Sequence, residues 1–149
     1  MEKNVRRKIN METEMNISKL WFVDNKIYIQ TADGKEFWQS LLWYQRLLYA
    51  TDEERANYNI SYSGIHWQDV DEDISFESFL YDSPEPEGVA KFFRQHPELN
   101  VSAVARRMGM KQSLLAAYIA GTKKPSEERT KQIYETIRSI GKELSQAPV

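Results

Sequence analysis

The chain has no cysteine, so disulfides and thiolate metal sites are excluded. Its two histidines, His66 and His96, are too few for a histidine-rich metal centre within one chain. No apolar run approaches the roughly 20 residues that a membrane-spanning helix needs, and the first residues lack the apolar core of a signal peptide. A cytoplasmic location, with no membrane partner, is the expectation. Also missing are a glycine-rich phosphate loop, a nucleophilic serine or cysteine signature and a metalloprotease motif. These absences argue against an enzyme and against a bound cofactor.

What is present fits a globular chain. Its 149 residues allow one ordinary domain or two small ones, with 41% hydrophobic and 28% charged residues. The net charge of −2 hides an asymmetry. Residues 17–83 carry 5 Lys/Arg against 12 Asp/Glu, whereas residues 84–149 carry 11 against 7. An acidic half joined to a basic half suits a nucleic-acid-binding module attached to something else.

Residues 1–16 are polar without apolar period and read as a mobile tail, whose Arg6-Arg7-Lys8 run could touch phosphate. Residues 17–39 read as three short strands. Asp24-Asn25 supplies one turn and Asp33-Gly34 the other, since both residue types tolerate positive φ. Residues 41–58 turn helical, with Leu41, Leu42, Tyr44, Leu47 and Leu48 forming an apolar face. Thr51 and Glu54 have the spacing of a capping box, which is expected to start a second helical turn or two. Ile60–Trp67 is again strand-like, interrupted by Gly64, and Asp73 or Ser75 caps a last short helix through Phe76, Phe79 and Leu80. Trp21, Trp38, Trp43 and Trp67 are expected to dominate the core of this α+β domain, residues 17–82.

The DG hairpin, the Leu-Trp-Tyr helix and the segment Ile65-His66-Trp67 followed by Asp71-Glu72-Asp73-Ile74-Ser75 resemble a bacterial family labelled domain of unknown function 2442. The resemblance implies a fold and no established activity. It also implies membership of small gene pairs, some of them toxin–antitoxin-like, and hence a cognate toxin-like protein partner.

Pro84, Pro86 and Gly88 punctuate a connector, so residues 83–87 read as a linker. Val89, Phe92 and Phe93 share one face of a short helix ending before Pro97. The stretch from Leu99 to Ser126 then encodes two short helices joined by a tight turn. Ser102 is expected to cap the first and Gly109 to break it, while the second runs from about Gln112 to Gly121. Apolar residues Val104, Ala105, Met108, Met110, Leu115, Tyr118 and Ile119 recur at i, i+3, i+4 spacings. Ala105 permits close crossing and Gly109 the positive φ of the turn. Ser126 starts a long helix with Glu127 and Glu128 in its first turn, and its expected buried stripe is Ile133, Ile137, Ile140 and Leu144. An all-α helix-turn-helix domain over 88–145, followed by a tail at 146–149, completes the organisation.

Gly109, Gln112, Ser113, Leu115, Gly121, Lys124, Pro125 and Ser126 match in register the DNA-binding motif of lambda-repressor-like (Xre-family) regulators. The resemblance implies that Lys111, Gln112, Ser113, Ala116 and Ala117 face the bases. It further implies that Asn100, Arg106, Arg107, Thr122, Lys123 and Lys124 hold phosphates of double-stranded DNA. Val101 stands where relatives commonly carry a polar residue, and Ala116 and Ala117 where they often carry Ser, Arg or Gln. Alanine can touch a thymine methyl but forms no base hydrogen bond, so direct readout is thin and DNA shape carries part of any preference.

Asp69, Asp71 and Asp73 occupy the first, third and fifth places of a calcium loop. Ile74 stands at the sixth place and Leu80 at the twelfth, which removes the glycine and the bidentate glutamate that such a loop needs. His66 lacks a nucleophile partner in sequence and reads as a packed strand histidine. The expectation is therefore an α+β domain joined to an all-α, lambda-repressor-like helix-turn-helix domain. Together they are expected to act as a homodimeric, DNA-binding transcriptional regulator, with an antitoxin-like autoregulator as the special case and the first domain as sensor or partner module. The alternative is a protein-interaction module whose helix-turn-helix no longer binds DNA.

Overall fold

The computed structural model describes residues 16–149, which are mixed helix and sheet. The expected tail and its Arg6-Arg7-Lys8 run lie outside the described residues, apart from Asn16. By internal contacts the chain divides after Pro86 into two compact units.

The first unit starts with β1 (Ile17–Val23), β2 (Lys26–Thr31) and β3 (Glu36–Ser40), an antiparallel meander in that spatial order. Asp24 takes φ 54° at the first turn. In the second turn only Gly34 enters the left-handed region, at φ 88°. Asp33 stays outside it because the Thr31 carbonyl accepts from Gly34 N–H at 2.9 Å, closing a turn over Ala32 and Asp33. Thr31 hydroxyl donates to the Asp33 carboxylate, and this bond holds the carboxyl below its usual range. The period of two sends Ile27 and Ile29 into the core.

The same period corrects the tryptophan expectation. Trp21 and Trp38 lie with Tyr28 on the opposite face of the sheet, the ring centroids 5.5 and 6.4 Å apart in sequence across the strands. Lys26 Nζ sits 4.6 Å from the Trp38 ring centroid. Only Trp67 and Trp43 are core residues.

The first helical stretch expected over 41–58 is itself broken, whereas the second one, starting at Thr51, forms as expected. A 3₁₀ turn at Leu41–Trp43 is capped by Ser40, α1 is Gln45–Leu48, and α2 is Asp52–Ala56, closed by a capping box between Thr51 and Glu54. Tyr44 leaves helical geometry between the first two (φ −133°, ψ 78°). Its hydroxyl donates to Gln39 Oε1 at 2.8 Å, and Gln39 Nε2 donates to Ser78 Oγ at 2.8 Å. Gln39 is 1% exposed, so satisfying its amide outweighs one more helical turn.

The strand-like stretch from Ile60 to Trp67 is a hairpin rather than one interrupted strand. It consists of β4 (Tyr58–Ile60) and β5 (Gly64–Trp67), and β6 (Glu72–Ser75) completes a second antiparallel sheet ordered β4-β5-β6. Gly64 is required by closeness: a Cβ there would lie 2.5 Å from the Ile74 carbonyl oxygen. Ser75, not Asp73, caps the 3₁₀ helix Phe76–Leu80. Ile27, Ile29, Leu41, Leu47, Ile65, Trp67, Ile74, Phe76 and Phe79 form the core of this unit. The Pro84 carbonyl accepts from Ser40 N–H at 2.7 Å and from Trp43 Nε1 at 3.2 Å, which fastens the connector to the first unit.

The second unit contains α3 (Gly88–Gln95), α4 (Val101–Met108), α5 (Gln112–Ala120) and α6 (Glu127–Leu144). Val89, Phe93, Val104, Ala105, Leu115, Tyr118 and Ile133 make its core. Gly109 and Gly121 end α4 and α5 at φ 68° and 79°. The cap of α4 is Asn100 rather than Ser102. Asn100 Oδ1 accepts from Ala103 N–H at 3.0 Å and from the Ser102 hydroxyl at 2.9 Å. Ser126 caps α6. Of the expected α6 stripe, Ile133 is buried and Ile137 and Ile140 are partly so, whereas Leu144, one turn beyond the core, is 69% exposed.

Candidate functional site

The chain turns from α4 into α5 through Gly109-Met110-Lys111. Met110 N–H bonds the Ala105 carbonyl at 3.0 Å, closing the end of α4. Leu115 and Tyr118 anchor α5 in the core. The helical period then leaves Gln112, Ser113, Ala116 and Ala120 on the outer side, all exposed, with Ala117 half-buried at its margin. Lys111 precedes the helix as an exposed N-cap residue whose side chain makes no capping bond.

Asn100, Arg106, Arg107, Thr122, Lys123 and Lys124 are exposed as well. They are not equivalent. Asn100 is engaged at Oδ1 by its capping role. Arg107 donates to Glu143 and, at 3.2 Å, to Ser139 Oγ, so its guanidinium is held against α6. Thr122 hydroxyl donates to the Ala117 carbonyl at 3.2 Å and serves the end of α5. The cationic residues of the α4–α5 segment with no acidic neighbour in their own stretch share a further property. From Leu99 to Ser126 there are five Lys/Arg and no Asp or Glu, the longest acid-free run in the chain. That signal was open to the sequence, but a net charge summed over the whole half conceals it.

The acidic segment of the first unit is dispersed rather than convergent. Asp69 accepts from Asn57 Nδ2 at 2.9 Å, while Asp71 takes φ 49° and its carbonyl accepts from Arg46 at 2.7 Å. Asp73 lies opposite His66 in the β5–β6 register, with Nδ1 and Oδ1 2.7 Å apart. Both side chains of that pair are largely open to water, so His66 is a half-exposed, paired residue and not a packed one. Among the described residues no group of three or more His, Asp or Glu side chains is placed to hold a metal ion. No helix among them is long and apolar enough to cross a membrane.

No curated protein and no solved structure matches the chain. Residues 17–85, which contain both sheets, match the family described as protein of unknown function (DUF2442).

Proposed function

We propose that the second unit is a lambda-repressor-like helix-turn-helix domain that binds double-stranded DNA through α5, and that the protein is a transcriptional regulator acting as a homodimer. The observation that carries this reading is the coincidence of two features on one stretch. The exposed side of α5 presents Gln112, Ser113 and Ala116, and the 28 residues around it hold five cations and no carboxylate.

Carboxylates near a groove would repel phosphate, whereas Lys111, Arg106, Lys123 and Lys124 attract it. Gln112 can pair bidentately with adenine, and Ala116 can touch a thymine methyl. One recognition helix of nine residues spans too few base pairs for a selective site, which is the reason for a dimer. In this reading the acidic first unit holds a protein partner, and an antitoxin-like autoregulator is the special case in which that partner is a toxin.

The test is fluorescence anisotropy with duplex DNA from the protein's own promoter region, in a salt series, with random duplex as competitor. Wild type is expected to bind with a steep salt dependence and a preference for its own promoter. Lys111→Ala/Gln112→Ala is expected to lose that preference. Absence of binding at low salt overturns the reading.

A further inference from the structure

The outer strands of each sheet in the first unit present backbone groups on which a further strand can pair. These edges differ in length and charge. β6 carries Glu72 and Asp73, and β4 is only three residues long. β3 carries Glu36, and its Ser40 N–H is engaged by the Pro84 carbonyl. β1 is seven residues long, contains no carboxylate and has Lys19 as its single charge. Among the described residues no strand pairs with its outer edge.

β1 is regular over Lys19–Val23. The register slips between Ile17 and Lys19, where Ser18 Oγ donates to the Gln30 carbonyl at 3.0 Å. Trp21 is the middle of the regular residues. Its ring stacks on Tyr28, and Tyr28 on Trp38, so a ladder of rings crosses the sheet and stops at the β1 edge.

We propose that two copies of this chain join antiparallel through their β1 edges, about a two-fold axis at Trp21 and normal to the sheet. Such an axis keeps each face of the sheet on its own side. Lys19 then stands opposite Val23 of the second copy, Leu20 opposite its Phe22, and Trp21 opposite its Trp21. The pairing uses every regular residue and ends at the slip in register. It extends the core-side row of Leu20 and Phe22 and joins the two ring ladders into one. Charge selects the same edge. Residues 17–83 carry 12 Asp/Glu against 5 Lys/Arg, so two copies of this unit repel one another over most approaches. Along β1 the charge met is Lys19, which the register brings within one residue of Asp24 of the second copy. The inference supplies the interface for the homodimer of the DNA reading and rests on that reading for its role, but the pairing itself needs no DNA.

Sedimentation equilibrium and cross-linking of the full chain without DNA test it. Wild type is expected to sediment at twice the chain mass. Lys19→Glu, at an exposed position, is expected to weaken the dimer about tenfold, because each dimer loses two cross-strand attractions. The chain has no cysteine, so introduced ones report only on themselves. Under mild oxidation a mixture of Lys19→Cys and Val23→Cys proteins is expected to form the mixed disulfide, since opposite Cβ atoms stand about 4.5–5.5 Å apart. Either variant alone is expected to stay uncrosslinked, because like positions lie roughly 13 Å apart along the strands, beyond disulfide reach. A monomer at every concentration overturns the proposal. So does a dimer in which the mixture cross-links no better than either variant alone, a result that puts the interface elsewhere and leaves the DNA reading standing. A dimer that cross-links as expected but binds no promoter DNA upholds the β1 pairing and overturns the DNA reading alone.

Discussion

Gly64→Ala isolates one physical cause, because Gly64 is not among the glycines with positive φ. The added Cβ would meet the Ile74 carbonyl oxygen at 2.5 Å and the Ser75 Cα at 3.0 Å, both backbone atoms of β6. A carbon–oxygen contact normally stands at about 3.3–3.6 Å, so β5 and β6 must part locally by about 0.8 Å or more. A movement of that size takes an N–H···O bond of about 2.9 Å beyond useful range. Losing one or two ladder bonds at about 1 kcal/mol each, together with overpacking strain of about 1–3 kcal/mol, gives roughly 2–5 kcal/mol. The unit of some 70 residues has a total stability of only about 3–10 kcal/mol, so the loss is large. All four tryptophans lie between positions 21 and 67, and their fluorescence therefore reports this unit. With a urea slope of about 1 kcal/mol per M, the midpoint is expected to fall by about 2 M or more. Ser63→Ala, at the exposed neighbouring position, is the control and is expected to stay within about 0.5 kcal/mol. A Gly64→Ala midpoint equal to that of the control refutes the close approach of β5 and β6.

Asn100→Ala is expected to cost about 1 kcal/mol by removing the cap of α4, lowering the thermal midpoint of the second unit by about 4–8 °C, whereas Ser102→Ala stays close to wild type in the same melt. Burial, outweighing the attraction of Arg46, raises the Glu72 carboxyl above its usual value. The folded state therefore holds that proton more tightly than the unfolded chain, and the contribution of Glu72 to stability is lost as pH rises through the raised value. Glu72→Gln is expected to gain stability over wild type above that value and to show no gain below the ordinary glutamate range, as urea midpoints across a pH series will read.

The features legible in the sequence are those decided within a few residues. Asp24 at a turn, Thr51 with Glu54, Ser75 and Ser126 before helices, and Gly109 and Gly121 after them each act through bonds or φ values that span one turn. The features misread are decided by pairing across the chain. Leu20-Trp21-Phe22 is apolar in both phases of the strand period, so only the pairing of β1 with β2 determines that Leu20 and Phe22 pack toward the core while Trp21 stacks on Tyr28 on the other face. Glu72-Asp73-Ile74-Ser75 shows no strand signal apart from Ile74; it is a strand because β5 pairs with it. Tyr44 breaks a helix for the sake of Gln39 and Ser78, which lie 5 and 34 residues away. For α5, the outer residues were named through the family resemblance, while the cations that flank them were separated only by structure: Arg107 is tied to Glu143 on α6, a residue 36 positions distant.

That last distinction yields a number for the DNA reading. Apart from Arg107, which is held against α6, the exposed cations of the acid-free stretch are Arg106, Lys111, Lys123 and Lys124. Four neutralised phosphates give a slope of log affinity against log salt of about −3.6 for one protomer and about −7 for a dimer on one site. Lys123→Ala is then expected to flatten the dimer slope by about 2, one phosphate per protomer, and Arg107→Ala to leave it unchanged. The same anisotropy series reads both. A slope near −3.6 for the wild type contradicts the homodimer, and a flattened slope for Arg107→Ala contradicts the assignment of its guanidinium to Glu143.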